Sequence, residues 1–215
     1  MIRKLGIAAL ICATFAACGP LNRGGVGETI INAAKVITGR ADPAAAEPSP
    51  EMAAAQPQDV LVVSIAALGL ALPTVQIGEN GAVTTWRADQ GFSFSFEDGV
   101  LVATRGLGDD LIGSDTGGLA AVLGAGGGTV ERAHSYLGAL DQVVLRTTSC
   151  TVTNVGPEEV PTLTGGTRTL TRFNESCQGR TIAFENIYWL DDDGNIMRSQ
   201  QLVSPSLAYL VTDRF

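Results

Sequence analysis

TVQIGENGAVTTWRADQGFSFSFEDGVLVATR, Thr74 to Arg105, reads as a chain of hairpins. Its runs 74–77, 82–87, 92–96 and 100–105 are short and rich in β-branched and aromatic residues. Glu79-Asn80-Gly81, Asp89-Gln90-Gly91 and Glu97-Asp98-Gly99 separate them with turn chemistry. Across 92–96 the rings of Phe92, Phe94 and Phe96 alternate with Ser93 and Ser95, so a strand there puts rings on one face and hydroxyls on the other.

Downstream, 106–128 interrupts the pattern with glycines and a short helical segment at 117–123. Strand signals resume at 132–137 and 142–155, continue through 162–173 and 180–190, and finish at 196–203 and 207–212, with Asp192-Asp193-Gly194-Asn195 as a turn. Roughly nine or ten short strands at hairpin spacing predict an all-β, antiparallel fold, because only closure or stacking protects so many edges. A curled, barrel-like sheet is the preferred architecture, with a two-sheet sandwich as the alternative. Upstream, 60–72 (VLVVSIAALGLAL) is apolar but shorter than the ~20 residues of a spanning helix. Its β-branched start, Gly69 and Pro73 fit a buried strand, or a short helix running into a strand.

The start of the chain carries a secretory pattern. Arg3 and Lys4 form a positive region, 5–17 is an uncharged apolar run, and small residues precede Cys18. Phe15-Ala16-Ala17-Cys18-Gly19 resembles a bacterial lipobox, with Phe15 where such boxes prefer Leu. Cleavage before Cys18 would make it the acylated N-terminus, held on a membrane by more than one acyl chain. Gly19 and Pro20 follow, with no Asp of the inner-membrane retention type, which points to an outer-membrane lipoprotein facing the periplasm. Residues 28–39 have apolar positions at helical spacing closed by Gly39, and 41–59 is Ala/Pro/Glu-rich, a composition that cannot bury enough surface to order itself. The organisation expected is a signal peptide at 1–17, a lipid-anchored, flexible Ala/Pro-rich tether with a short helix at 18–59, and a β domain at 60–215. From Cys18 to Pro57, forty residues, the tether reaches at most about 130–145 Å when extended.

Charge and composition narrow the function. Among 215 residues, 22 acidic side chains face 14 basic ones, a formal charge of -8 that disfavours nucleic acid as a partner. Two lysines and one histidine leave few bases for chemistry. His134 has no G-x-S-x-G serine to serve and reads as a surface or partly buried strand residue. The loop after Thr104 lacks the spacing of a phosphate cradle, and Asp191-Asp192-Asp193 lacks that of a calcium loop, so no cofactor, metal or catalytic residue is assigned. Cys12 falls within the discarded signal, which leaves Cys150 and Cys177, an even count in an oxidising compartment, as a disulfide.

Three segments, NGAVTTW (80–86), DGVLVATRGLGDDL (98–111) and IYWLDDDGNIMRSQQLVSPSLAYL (187–210), resemble the YjbF/GfcB-type group 4 capsule polysaccharide lipoproteins, in order and spacing across most of 70–212. The resemblance implies a β-barrel-like domain working with capsule or exopolysaccharide assembly proteins, and it brings no catalytic residue. The function expected is a non-catalytic, lipid-anchored envelope protein that supports exopolysaccharide or capsule production or export. Its partners would be the membrane through its lipid, export or assembly proteins, and glycan. Trp86, Arg105, Asp109, Asp110, Tyr188, Trp189 and Arg198 form the candidate binding surface, with the two tryptophans as a saccharide platform or, as the alternative, core packing. Because the domain is acidic, direct contact with an anionic polymer would need Arg105, Arg180 or Arg198 to gather. Two other readings are a carbohydrate-active hydrolase pairing Asp109 or Asp110 with an acid of 191–193, and a structural lipoprotein of envelope assembly.

Overall fold

The structure, a computed structural model, describes residues 55–56, 59–163 and 166–214. The signal, Cys18, the helix at 28–39 and nearly all of the tether lie outside the described residues.

Twelve strands form one antiparallel sheet: β1 (Val60–Ile65), β2 (Leu70–Asn80), β3 (Val83–Arg87), β4 (Ser93–Glu97), β5 (Val100–Arg105), β6 (Leu111–Asp115), β7 (Gly127–Leu137), β8 (Val143–Pro161), β9 (Thr167–Gly179), β10 (Ala183–Leu190), β11 (Ile196–Ser204) and β12 (Ala208–Arg214). One helix, α1 (Leu119–Gly124), links β6 to β7 and buries Leu119 and Leu123. The sheet is a meander curled on itself. β1 pairs with β12, with Leu61 opposite Arg214 and Val63 opposite Thr212, so the first and last strands lie side by side in the middle of the order. Its free edges are β5 and β6, neighbours in the chain.

Side chains close that seam. Thr104 Oγ1 donates to Asp110 Oδ1 (2.8 Å) and accepts from the Leu111 amide (3.0 Å). Arg105 donates from Nη1 to the Leu111 carbonyl (3.2 Å) and from Nη2 to that of Ile112 (3.1 Å). The guanidinium thus satisfies carbonyls that a neighbouring strand would otherwise have paired. A barrel this wide tends toward an open lumen, but here the interior is filled. Gln201 of β11 reaches across to β5, accepting from the Leu101 amide (2.8 Å) and donating to the Gly99 carbonyl (3.0 Å). Two apolar clusters fill the rest, one around Leu61, Ile65, Trp86 and Phe94, the other around Val100, Leu119, Val152 and Phe173.

Three segments differ from the sequence reading. The apolar run 60–72 is a hairpin, since a 3-10 turn at Ala66–Leu68 and Gly69 at φ 62° reverse the chain between β1 and β2. Alternate burial of Leu61, Val63 and Ile65 takes up its apolar content. The glycine-rich stretch hides β6 and the first half of β7. β8 and β9 form one long hairpin with a register shift between Asn154 and Gly156, and β9 starts at Thr167 rather than at 162. Cys150 stands opposite Cys177 in that ladder, and the two form the expected disulfide.

Candidate functional site

Antiparallel order sends the β2–β3, β4–β5 and β10–β11 turns to one end of the barrel, with the last residues of β12. These turns, together with α1, line a cleft of about 640 Å³, within the range of small-ligand sites. Its polar side chains are Glu79, Thr84, Asp98, Asn195 and Arg214. Gly99 at φ 83° packs so closely that a Cβ there would meet the Ile196 side chain at 3.0 Å. Arg214 follows Leu210 and Thr212 on the inward face of β12, and its guanidinium lies 5.1 Å from the Trp86 ring centroid. Trp86 is oriented by its Nε1–H, which donates to Thr84 Oγ1 (3.1 Å). Arg214 belongs to none of the ion pairs among the described residues, and burial lowers its pKa.

The residues expected to form a binding surface are scattered, and most of them are structural. Trp86 is 3 % exposed and Tyr188 0 %, so neither offers a ring to solvent. Asp110 binds its own loop, accepting from the Gly106 amide (2.9 Å) and the Leu107 amide (3.2 Å) besides Thr104. Asp109 accepts from Ser206 Oγ in the β11–β12 turn. Asp191 accepts from the amides of Asp193 (3.1 Å) and Asn195 (2.8 Å) and so closes the 192–195 turn. Asp109 and Asp110 therefore lie at one end of the barrel and 191–193 at the other, separated by the nine residues of β11, about 30 Å. Glycosidase carboxyl pairs stand roughly 5–9.5 Å apart. The acids named for a hydrolase do not meet.

Trp189 and Arg198 are brought together on the outer face. The Trp189 ring lies between Arg172 (5.7 Å) and Arg198 (5.5 Å), beneath Val160 and Leu170, and is only 9 % exposed. Arg172 pairs with Glu158 (3.1 Å) and Arg198 with Asp213 (3.4 Å), whose carboxyl is raised above its usual range by burial although Arg198 pulls it down. Arg105 and Arg198 stand apart, so the cationic cluster does not assemble around them.

The sequence reading missed a polar network inside the barrel. Glu175 accepts from Arg132 Nη1 at both carboxylate oxygens (3.2 and 3.0 Å), and at Oε2 also from Asn186 Nδ2 (2.7 Å) and Tyr188 Oη (3.0 Å). Asn186 Oδ1 in turn accepts the Leu202 amide (2.8 Å). Burial, and after it the Glu175 charge, push Tyr188 well above its ordinary value, so the phenol remains a donor. With these donors in place the carboxylate is saturated and holds strands together. Cys150, Glu175 and Cys177 have ligand atoms within 4.8 Å of one another, but the sulfurs are bonded to each other, which leaves no thiolate for a metal. His134 lies in a strand, as expected, but is 3 % exposed rather than on the surface or partly buried, and burial followed by Arg132 lowers its pKa to about 3. The available signal was alternation, which puts Val130, Arg132, His134 and Tyr136 on one face once β7 is extended back through its glycines.

A family profile described as Group 4 capsule polysaccharide lipoprotein gfcB, YjbF matches residues 30–214. Among solved structures, the chain is similar to the crystal structure of the hypothetical lipoprotein YmcC from Escherichia coli, with 15 % identity and a TM-score of 0.64 over 75 % of this chain and 89 % of that one. At that identity the likeness is one of fold. No curated protein sequence matches significantly.

Proposed function

The chain belongs to the group 4 capsule polysaccharide lipoprotein family, and from that premise we propose that it is a non-catalytic, lipid-anchored envelope protein supporting production or export of a surface polysaccharide. The family match over 30–214 carries this reading. The placement of its acids supports the non-catalytic part, since Asp109, Asp110 and Asp191 are engaged in turns at opposite ends and Glu175 is saturated inside the barrel. Cys18 is the acylation site in this reading, the location is the periplasmic face of the outer membrane, and the partners are polysaccharide export or assembly proteins. A clean gene deletion is expected to lower extracellular polysaccharide while sparing viability, with recovery on complementation. Unchanged polymer yield and chain length would overturn the proposal. If the envelope protein profile were disturbed instead, a general assembly role would take its place.

A further inference from the structure

We propose that the cleft at the hairpin-turn end of the barrel binds a carboxylate-bearing saccharide through Arg214. The inference deepens the function proposed above and rests on it for the saccharide class. The anion comes from the site itself. Arg132, Arg168, Arg172 and Arg198 each face a carboxylate, Arg105 is turned to backbone carbonyls, Arg146 donates to Thr181 Oγ1, and Arg87 and Arg180 are exposed. Arg214, half-buried and stacked on Trp86, is in no ion pair among the described residues, although Glu79 and Asp98 line the same cleft. A desolvated guanidinium facing open space favours a planar anion that it can grip with two parallel N–H donors. Stacking on a ring that Thr84 orients restricts its rotamers in advance, so little entropy is lost when the anion arrives.

The rest of the lining selects among anions. Glu79 and Asp98 repel dense charge but accept hydrogen bonds from hydroxyls, and Thr84 and Asn195 add neutral partners. A sugar acid, with one carboxylate amid many hydroxyls, fits this balance better than a phosphate does. The site also lifts the objection that an acidic domain repels an anionic polymer, because attraction is needed at one position only.

The test is calorimetric titration of the full-length protein in detergent with tetragalacturonate, its fully methyl-esterified, neutral form, and inorganic phosphate. Saturable binding of the sugar acid is expected, at least tenfold weaker for Arg214→Gln and partly recovered by Arg214→Lys. Glu79→Gln and Asp98→Asn should tighten it several-fold, and Asn tolerates the φ of 48° at position 98. Melting curves report the folding of each variant, and the two acid variants keep the proposal testable if Arg214→Gln does not fold. Equal affinity for the acidic and neutral sugars, binding unchanged in Arg214→Gln, or no saturation by the sugar acid would overturn it. So would phosphate competing as well as the sugar acid. In cells the two failures separate. If deletion leaves the polymer unchanged, the functional reading falls; if deletion lowers it and an Arg214→Gln allele restores it fully, only this inference falls.

Discussion

His134 lies 6.4 Å from Tyr136, stacked, and 5.5 Å from Phe184, edge-on, with its pKa held at about 3 by burial and then by Arg132. In the unfolded chain it protonates near 6.5, so between those values the unfolded state binds more protons. The stabilisation is full above about pH 6.5 and declines as pH falls toward 3, by at most about 1.4 kcal/mol per pH unit. His134→Phe keeps the ring contacts and removes the proton, and its melting temperature should fall less steeply between pH 6 and 4 than that of the wild type. An identical slope would place the proton uptake elsewhere. Glu175 makes a sharper case. Glu175→Gln leaves the Arg132 charge buried without its partner, and urea denaturation should show a loss of about 3–5 kcal/mol. The double change Arg132→Met with Glu175→Leu should cost less than that single one. Composition alone does not decide whether Trp86 and Tyr188 form a surface or a core, because aromatic rings suit both sugar platforms and cores. Burial decides between these uses, and it depends on strands distant in the chain.

At the scale of elements, the seam between β5 and β6 depends on one loop. Asp110→Ala removes three accepted hydrogen bonds, from Thr104, Gly106 and Leu107, and should destabilise the fold by about 2–3 kcal/mol. Hydrogen exchange should then accelerate first at the amides of β5 and β6, whereas uniform acceleration would show that the seam is not the weak point. Between β8 and β9, the disulfide links residues 27 apart. Replacing both cysteines with alanine should lower stability by roughly 3–4 kcal/mol by the chain-entropy argument, checked in urea against the oxidised protein. Hairpins with clean turn residues were legible: runs 82–87 and 100–105 correspond to β3 and β5 within a residue. β6 was not, because Gly113 and the glycines around it weaken any strand pattern. The hairpin in 60–72 was hidden by its turn, whose two alanines and one leucine look like core, while only Gly69 marks the reversal.

Over the whole molecule, the two ends of the barrel differ. One holds the polar cleft with Arg214, and β1 begins there, since Leu61 pairs with Arg214. The other bears the β7–β8 hairpin, whose end exposes Leu137, Leu140, Val143 and Leu145. A chain entering at Val60 therefore joins the domain beside the cleft, so in the proposed anchoring the tether and the sugar site share an end. The barrel was legible as a class from strand number, but the cleft was not, because it assembles turns separated by more than a hundred residues. The most direct measurement is extracellular polysaccharide in a deletion strain complemented at matched abundance with wild-type or Cys18→Ser protein. Recovery with the wild type and deletion-level polymer with Cys18→Ser is the predicted result; full recovery with the serine variant would contradict a function exercised from a lipid anchor.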